Sequence, residues 1–162
     1  MVTALTYAHA AVLLAAATLF VAAAVTDVRS YRIPNAMCAA LSVLFPLYIA
    51  TAPHPVDWRR NLLVFGVVLG LGFAAFVGNL LGAGDVKLLS VAGLWAGPAH
   101  IVMLMLVIAF AGGLQSLALT AWRLKEKKPQ RLMKTQIPYG VAIAAGSLAM
   151  LGMMFHPLLL LD

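Results

Sequence analysis

An all-α polytopic membrane protein, six transmembrane helices in one domain over 1–162, is what this sequence predicts, and three observations predict it. Apolar residues make up 64% of the 162 and charged residues 10%, whereas a soluble domain carries about 25% charged residues to cover its surface. Apolar runs long enough to cross a bilayer, ~20 residues at 1.5 Å rise each, recur along the chain. The Lys and Arg residues gather in regions that six crossings would place on one side.

The first predicted helix covers 5–25. No Lys or Arg precedes Arg29, so the run lacks the basic start of a cleaved signal and reads as a retained helix. The second, 36–52, is slightly short and carries Pro46 towards its outer end, where a kink is tolerable. The third, 61–81, contains Gly66 and Gly70, a GxxxG pair suited to close helix contact. The fourth, 86–98, holds the short apolar run KLLSVAGLWAGP, which reads either as a re-entrant piece or as a short helix that starts in a water-accessible cavity; the charge parity favours a crossing. The fifth is 100–122. The sixth, 137–161, has Gly140 and Gly146 among alanines, again a close-packing pattern.

With these six crossings, 26–35, 82–87 and 123–136 share a face and collect nine Lys/Arg, while Arg59 and Arg60 lie opposite. That is a positive-inside bias, which places both termini outside and the basic loops on the cytoplasmic side. Six of the eleven basic residues lie in one stretch, Arg123, Lys125, Lys127, Lys128, Arg131 and Lys134. Beside membrane helices such a block is a topology signal that also meets anionic lipid, so the net charge of +6 does not imply nucleic acid. Cys38 is the sole cysteine, which excludes an intrachain disulfide and a multi-thiolate zinc site. His9, His54, His100 and His156 show no ligand spacing such as HExxH. Neither a metal nor a cofactor is expected.

Five acidic residues remain to carry chemistry. Asp162 ends the chain, Glu126 sits among basic neighbours, and Asp57 lies beside Arg59 and Arg60, a surface arrangement. Asp27 and Asp85 differ. Asp27 closes the first apolar run in VTDVRSYRIPN, and Asp85 follows a glycine turn in LLGAGDVKLLS. Ionisable groups at membrane depth are costly and usually functional, while at the membrane border the two also read as hydrated interfacial carboxylates with ordinary topology roles. Fifty-eight positions separate the two, room for one hairpin out through the bilayer and back, so both acids return to the same face. Gly82 and Gly84 allow a close approach or a positive φ before Asp85, which is placed to begin the fourth helix, where free N–H groups favour a carboxylate. Two carboxylates sharing a proton supply an acid and a base together, the minimum equipment for aspartic proteolysis. Which acid starts as the base stays open.

The segments DVRSYRIPN, from Asp27 to Asn35, and GAGDVKLL, from Gly82 to Leu89, resemble the two signatures of the type IV prepilin peptidases, and Ile137-Pro138-Tyr139-Gly140 resembles their final-helix element. The resemblance covers nearly the whole chain. It implies that Asp27 and Asp85 are catalytic in a GxGD aspartic endopeptidase without cofactor. It also implies that the substrate is a prepilin or pseudopilin precursor, cut on the cytoplasmic side after a Gly that ends a short basic leader and precedes a hydrophobic helix. Gly82, Gly84, Lys87, Arg29, Arg32, Pro34, Asn35, Pro138, Tyr139 and Gly140 occupy motif positions expected to support the site or lie near substrate. Arg29, Arg32 and Lys87 also serve as positive-inside anchors. Lys87 is a candidate to tune Asp85, Pro34 and Asn35 to start the second helix, and Tyr139 to pack near the acids. Presenilin-like proteases share GxGD but place a Tyr before the first Asp, where this chain has Thr26. With one cysteine and no paired CxxC region, the chain is similar to the short form associated with Flp/Tad pilus assembly, which puts methyltransferase activity in doubt. Archaeal preflagellin peptidases share the design. A small ion or proton transporter and a noncatalytic assembly scaffold are the alternatives that the residues alone leave.

Overall fold

The computed structural model describes residues 2–125 and 138–159, and these are helical apart from short connections. The elements are α1 (Val2–Ser30), α2 (Asn35–Thr51), α3 (Trp58–Val77), α4 (Ala83–Lys125) and α5 (Tyr139–Leu159). Among the described residues, three segments are long and apolar enough to cross a membrane, Leu5–Ser30, Trp58–Val77 and Ala83–Trp122. The chain is an all-helical, membrane-spanning protein. The expectations for Glu126, Lys127, Lys128, Arg131, Lys134 and Asp162 lie outside the described residues.

α3 starts three residues earlier than the sequence suggests and stops earlier too. Asp57 caps its first turn, accepting a hydrogen bond from the Arg60 backbone N–H at 3.3 Å and pairing with the Arg60 guanidinium at 3.0 Å. This satisfies a donor that the first turn leaves free. At the other end Asn79 adopts φ 56°. Its N–H bonds to the Phe76 carbonyl at 2.9 Å, and the Leu80 N–H bonds to the Ala75 carbonyl at 2.9 Å. That pair of bonds closes a helix with a Schellman cap, and Asn tolerates the left-handed conformation better than most residues. The helix therefore ends at Val77 and not at 81.

The segments expected at 86–98 and 100–122 are both helical and form the two limbs of α4, separated by a break at Gly97 (φ 54°, ψ −169°) followed by Pro98. Its first limb, 83–96, carries Asp85. Its second limb, 98–125, brings Gly112 so close to Tyr139 that a Cβ there would lie 3.7 Å from the ring. Tyr139 and Asp85 border one cavity. A straight helix would hold 85 and 112 ~40 Å apart, so the limbs double back at Gly97.

Pro98 has no N–H, which leaves the Leu94 carbonyl without its usual partner four residues on. Asn61 of α3 supplies one, donating from Nδ2 at 2.9 Å. The same amide fills the space above Gly97, where a Cβ would meet Asn61 Oδ1 at 2.6 Å. Gly97→Ala is expected to lose about 1–3 kcal/mol from backbone strain before any clash is counted. Asn61→Leu should cost about 1–3 kcal/mol by leaving a buried carbonyl unpaired. Thermal unfolding of the two variants in detergent checks both; an unchanged midpoint for Gly97→Ala would contradict the fold at this turn.

Trp95, fully buried, centres the core. Its indole N–H donates to the Leu41 carbonyl at 3.1 Å, and its ring meets Phe45 at 5.9 Å and Tyr48 at 5.2 Å between centroids. Tyr48 in turn contacts His9, whose Nδ1 lies 3.1 Å from Thr51 Oγ1. This polar and aromatic cluster joins α1, α2 and the first limb of α4.

The glycine contacts correct one expectation. Positions built as Cβ on Gly66 and Gly70 meet nothing within 4 Å, whereas on Gly72 a Cβ would lie 2.9 Å from Val86. Asn61, Val68 and Gly72 are the buried residues of α3. They recur at helical spacing and form its α4-facing stripe, and the GxxxG pair points elsewhere. In α5 the expected close packing is present. A Cβ on Gly146 would lie 2.7 Å from Ile108 and 3.1 Å from the Leu104 carbonyl.

Candidate active site

Asp27 occupies the last turn of α1 and is 5% exposed. The helix stops just beyond it because Tyr31 turns left-handed, φ 51°, with its N–H on the Asp27 carbonyl at 2.8 Å. A non-glycine residue in this conformation stores strain, a feature that clusters at functional sites. Pro34, extended at φ −61° and ψ 133°, then caps α2, and Asn35 begins it. The expectation for this dipeptide holds: Pro fixes its own φ and disfavours helix in the preceding residue.

The Asp27 carboxylate is held from across the fold. Its Oδ2 accepts the Gly140 N–H at 2.8 Å, from the first turn of α5, where backbone donors are free and the helix dipole favours negative charge. A Cβ at position 140 would lie 2.7 Å from that oxygen and 2.9 Å from the Asp27 Cβ. Only glycine lets the α5 backbone come so close to the Asp27 side chain.

Asp85 stands in the first turn of α4, its carboxylate against the backbone of Gly82. A Cβ on Gly82 would be 2.9 Å from Asp85 Oδ2, and one on Gly84 would be 3.4 Å from the Ile33 side chain. Neither glycine has a positive φ. Of the two reasons the sequence offers for these glycines, close approach is the operative one.

Asp27 and Asp85 line a single open cavity of about 710 Å³, near enough to interact electrostatically. Arg32, Asn35, Gly82, Gly84, Lys87 and Tyr139 line it with them. Arg29, Pro34, Pro138 and Gly140 do not line it. Arg29 points outward from the last turn of α1, while Pro34 and Gly140 act through the backbone. Lys87 is not paired with Asp85: its Nζ donates to Asn35 Oδ1 at 3.0 Å, tying α4 to α2. Lys87→Met should therefore loosen the 31–35 wall, at a cost of about 0.5–1.5 kcal/mol for one exposed bond. A double-mutant cycle with Asn35→Ala, read by thermal unfolding, should return a coupling of that size; zero coupling would remove the link.

Phe76, Asn79, Leu80 and Leu81 also wall the cavity, and they escaped the sequence reading because 61–81 looks like one uninterrupted apolar helix. Gln115 escaped it as well. Its amide donates to the Pro138 carbonyl at 3.0 Å, fixing the start of α5 beside Gly140, and its Oε1 is buried with no hydrogen-bond partner among the described residues. A polar amide inside an apolar membrane helix was the available signal. Among the described residues, no three His, Cys, Asp or Glu gather where they would hold a metal ion.

The fold and the cavity define a multi-pass helical membrane protein with two acids facing one opening at one end of the bundle. The chain belongs to the Type IV leader peptidase family, which it matches over residues 13–117. It is a prepilin peptidase of the aspartic type. The matched stretch contains both acids; Gly140 lies beyond it and reaches Asp27 through the fold. No curated protein and no solved structure matches the chain.

Proposed function

We propose that Asp27 and Asp85 are the catalytic pair of this leader peptidase, acting from the cytoplasmic face of the inner membrane on Flp-type prepilin or pseudopilin precursors. The observation that carries this is the shared cavity: two acids far apart in sequence border one opening large enough for an extended peptide. One carboxylate, ionised, takes a proton from water as the water attacks the scissile carbonyl. The other, protonated, gives its proton to the carbonyl oxygen. The pair then exchanges roles: the tetrahedral intermediate collapses, the C–N bond breaks, the newly protonated carboxyl gives its proton to the leaving amine of the mature chain, and the leader departs with the new carboxyl group. The Gly140 amide orients Asp27 throughout, and Gly82 does the same for Asp85. Gly before the cut suits a cavity whose walls are largely backbone turns, since that residue adds no side chain. Six crossings, with the limbs of α4 counted separately, put both acids and the basic loops on the inner side.

Co-expression of a prepilin with the wild-type chain in cells without another such peptidase should give leader removal. Thiol labelling in a Cys38→Ser background tests the face: Ser30→Cys should react from the inside and Asp57→Cys from the outside. The reverse pattern would refute the cytoplasmic placement.

A further inference from the structure

A second opening lies beyond the acids along the first limb of α4. Ala83, Gly84 and Lys87 border it, and Leu94, further along the same limb of α4, floors a second, apolar recess of about 350 Å³. Positions 83, 84, 87 and 94 fall at helical spacing on one face of that limb, with Val91 between them. α2 and α3 flank the limb. Trp95 bonds to Leu41 and Lys87 to Asn35 on the α2 side, while Asn61 bonds to Leu94 on the α3 side. The recess is the seam left between those two helices, walled by Phe45, Pro46 and Ile49 from α2 and by Trp58, Leu62 and Phe65 from α3. Pro46 and Leu62 border it where the chain faces bilayer, and Leu62 is 47% exposed. Polar cavity and apolar recess thus lie one beyond the other along this face of the limb, with the buried Val91 between them.

We propose that this seam between α2 and α3 is the docking groove for the hydrophobic helix that follows the cleaved bond in the precursor. The inference rests on the leader-peptidase reading and names the surface it leaves undefined. Order and length both fit. The precursor places a polar leader and scissile bond directly before an apolar helix, and the first limb of α4 places a polar cavity before an apolar recess. From the level of Asp85 to that of Leu94 is ~14 Å along the helix, which a substrate helix covers in about nine residues. An apolar helix laid in a groove is a recurring mode of recognition, with anchors at helical spacing.

The test uses the full chain with Cys38→Ser and Asp85→Asn, carrying Leu62→Cys, and a synthetic precursor with a single Cys placed at successive positions after the scissile bond. Crosslinking should peak about nine residues past the bond, and Leu106→Cys, exposed on the second limb of α4, should yield none above background. In the active enzyme, Leu62→Trp, which fills the recess, should raise KM for full-length precursor about tenfold. It should leave kcat/KM unchanged for a short soluble peptide that ends before the apolar helix. Equal crosslinking at 62 and 106 would overturn the groove. So would a Leu62→Trp variant that affects both substrates alike or neither, the latter being the result if only lipid occupies the seam. If the wild-type chain cleaves precursor while the crosslinks map elsewhere, the groove fails and the peptidase stands; if the wild-type chain cleaves nothing, the functional reading itself fails.

Discussion

Asp27→Asn and Asp85→Asn should each reduce leader removal by a factor on the order of 10² to 10⁴, the range in which a positioned acid or base contributes. The substitution keeps side-chain size and removes the charge, so the packing around Asp27 and Gly140 should survive. An Asn carbonyl still accepts the Gly140 N–H, which makes a folded but inactive enzyme the expected product. In the proposed mechanism the two acids work as one unit, so the double variant should be little worse than either single one. Quantified cleavage of a prepilin by purified protein, beside thermal unfolding of the same samples, separates chemistry from stability. Full processing by either variant would end the two-carboxylate mechanism.

The second large effect is expected from a residue with no reactive group. Gly140→Ala would place a methyl 2.7 Å from Asp27 Oδ2 and 2.9 Å from its Cβ, distances that real Cβ atoms do not sustain. Either α5 shifts or the Asp27 side chain leaves its rotamer, and both break the 2.8 Å bond from the Gly140 N–H. Misplacement of a catalytic group by ~1 Å can cost about 10²-fold in rate. We expect kcat to fall by about that factor with a much smaller change in KM, since the substrate groove lies on other helices. Gly152→Ala, further along α5 where a Cβ meets nothing within 4 Å, serves as the control and should retain activity. Equal activity in the two variants would show that the Asp27–Gly140 contact is dispensable.

Several parts of this arrangement were legible in the residues themselves. VTDVRSYRIPN shows an apolar helix ending at an acid, then Pro and Asn starting another. The structure places Pro34 and Asn35 at that start. Asp85 in the first turn of a helix was legible for the same reason: glycines precede it and apolar residues follow. Other features were not. Gly66 and Gly70 have the spacing of a contact motif, yet spacing says nothing about which face of a helix meets a neighbour, and Gly72 is the residue in contact. The end of α3 was overrun because Leu80 and Leu81 continue the apolar run, while the hydrogen bonds of the Asn79 turn end the helix. Lys87 was read against its near neighbour Asp85, but a long side chain in a packed bundle finds the partner that geometry offers, here Asn35.

The sequence by itself determined that the chain is helical and lives in a membrane, and it singled out Asp27 and Asp85 as the candidate pair. Those facts follow from composition and local order: bilayer burial demands long apolar helices with their backbone bonds satisfied internally, and a charge at their ends stands out. Tertiary structure decided what surrounds the acids. The contact between Asp27 and Gly140 joins positions 113 residues apart, and the doubling back of α4 at Gly97 brings Tyr139 to the same opening. Both depend on which helix faces meet, a matter of packing shape that an almost uniformly apolar sequence leaves unspecified.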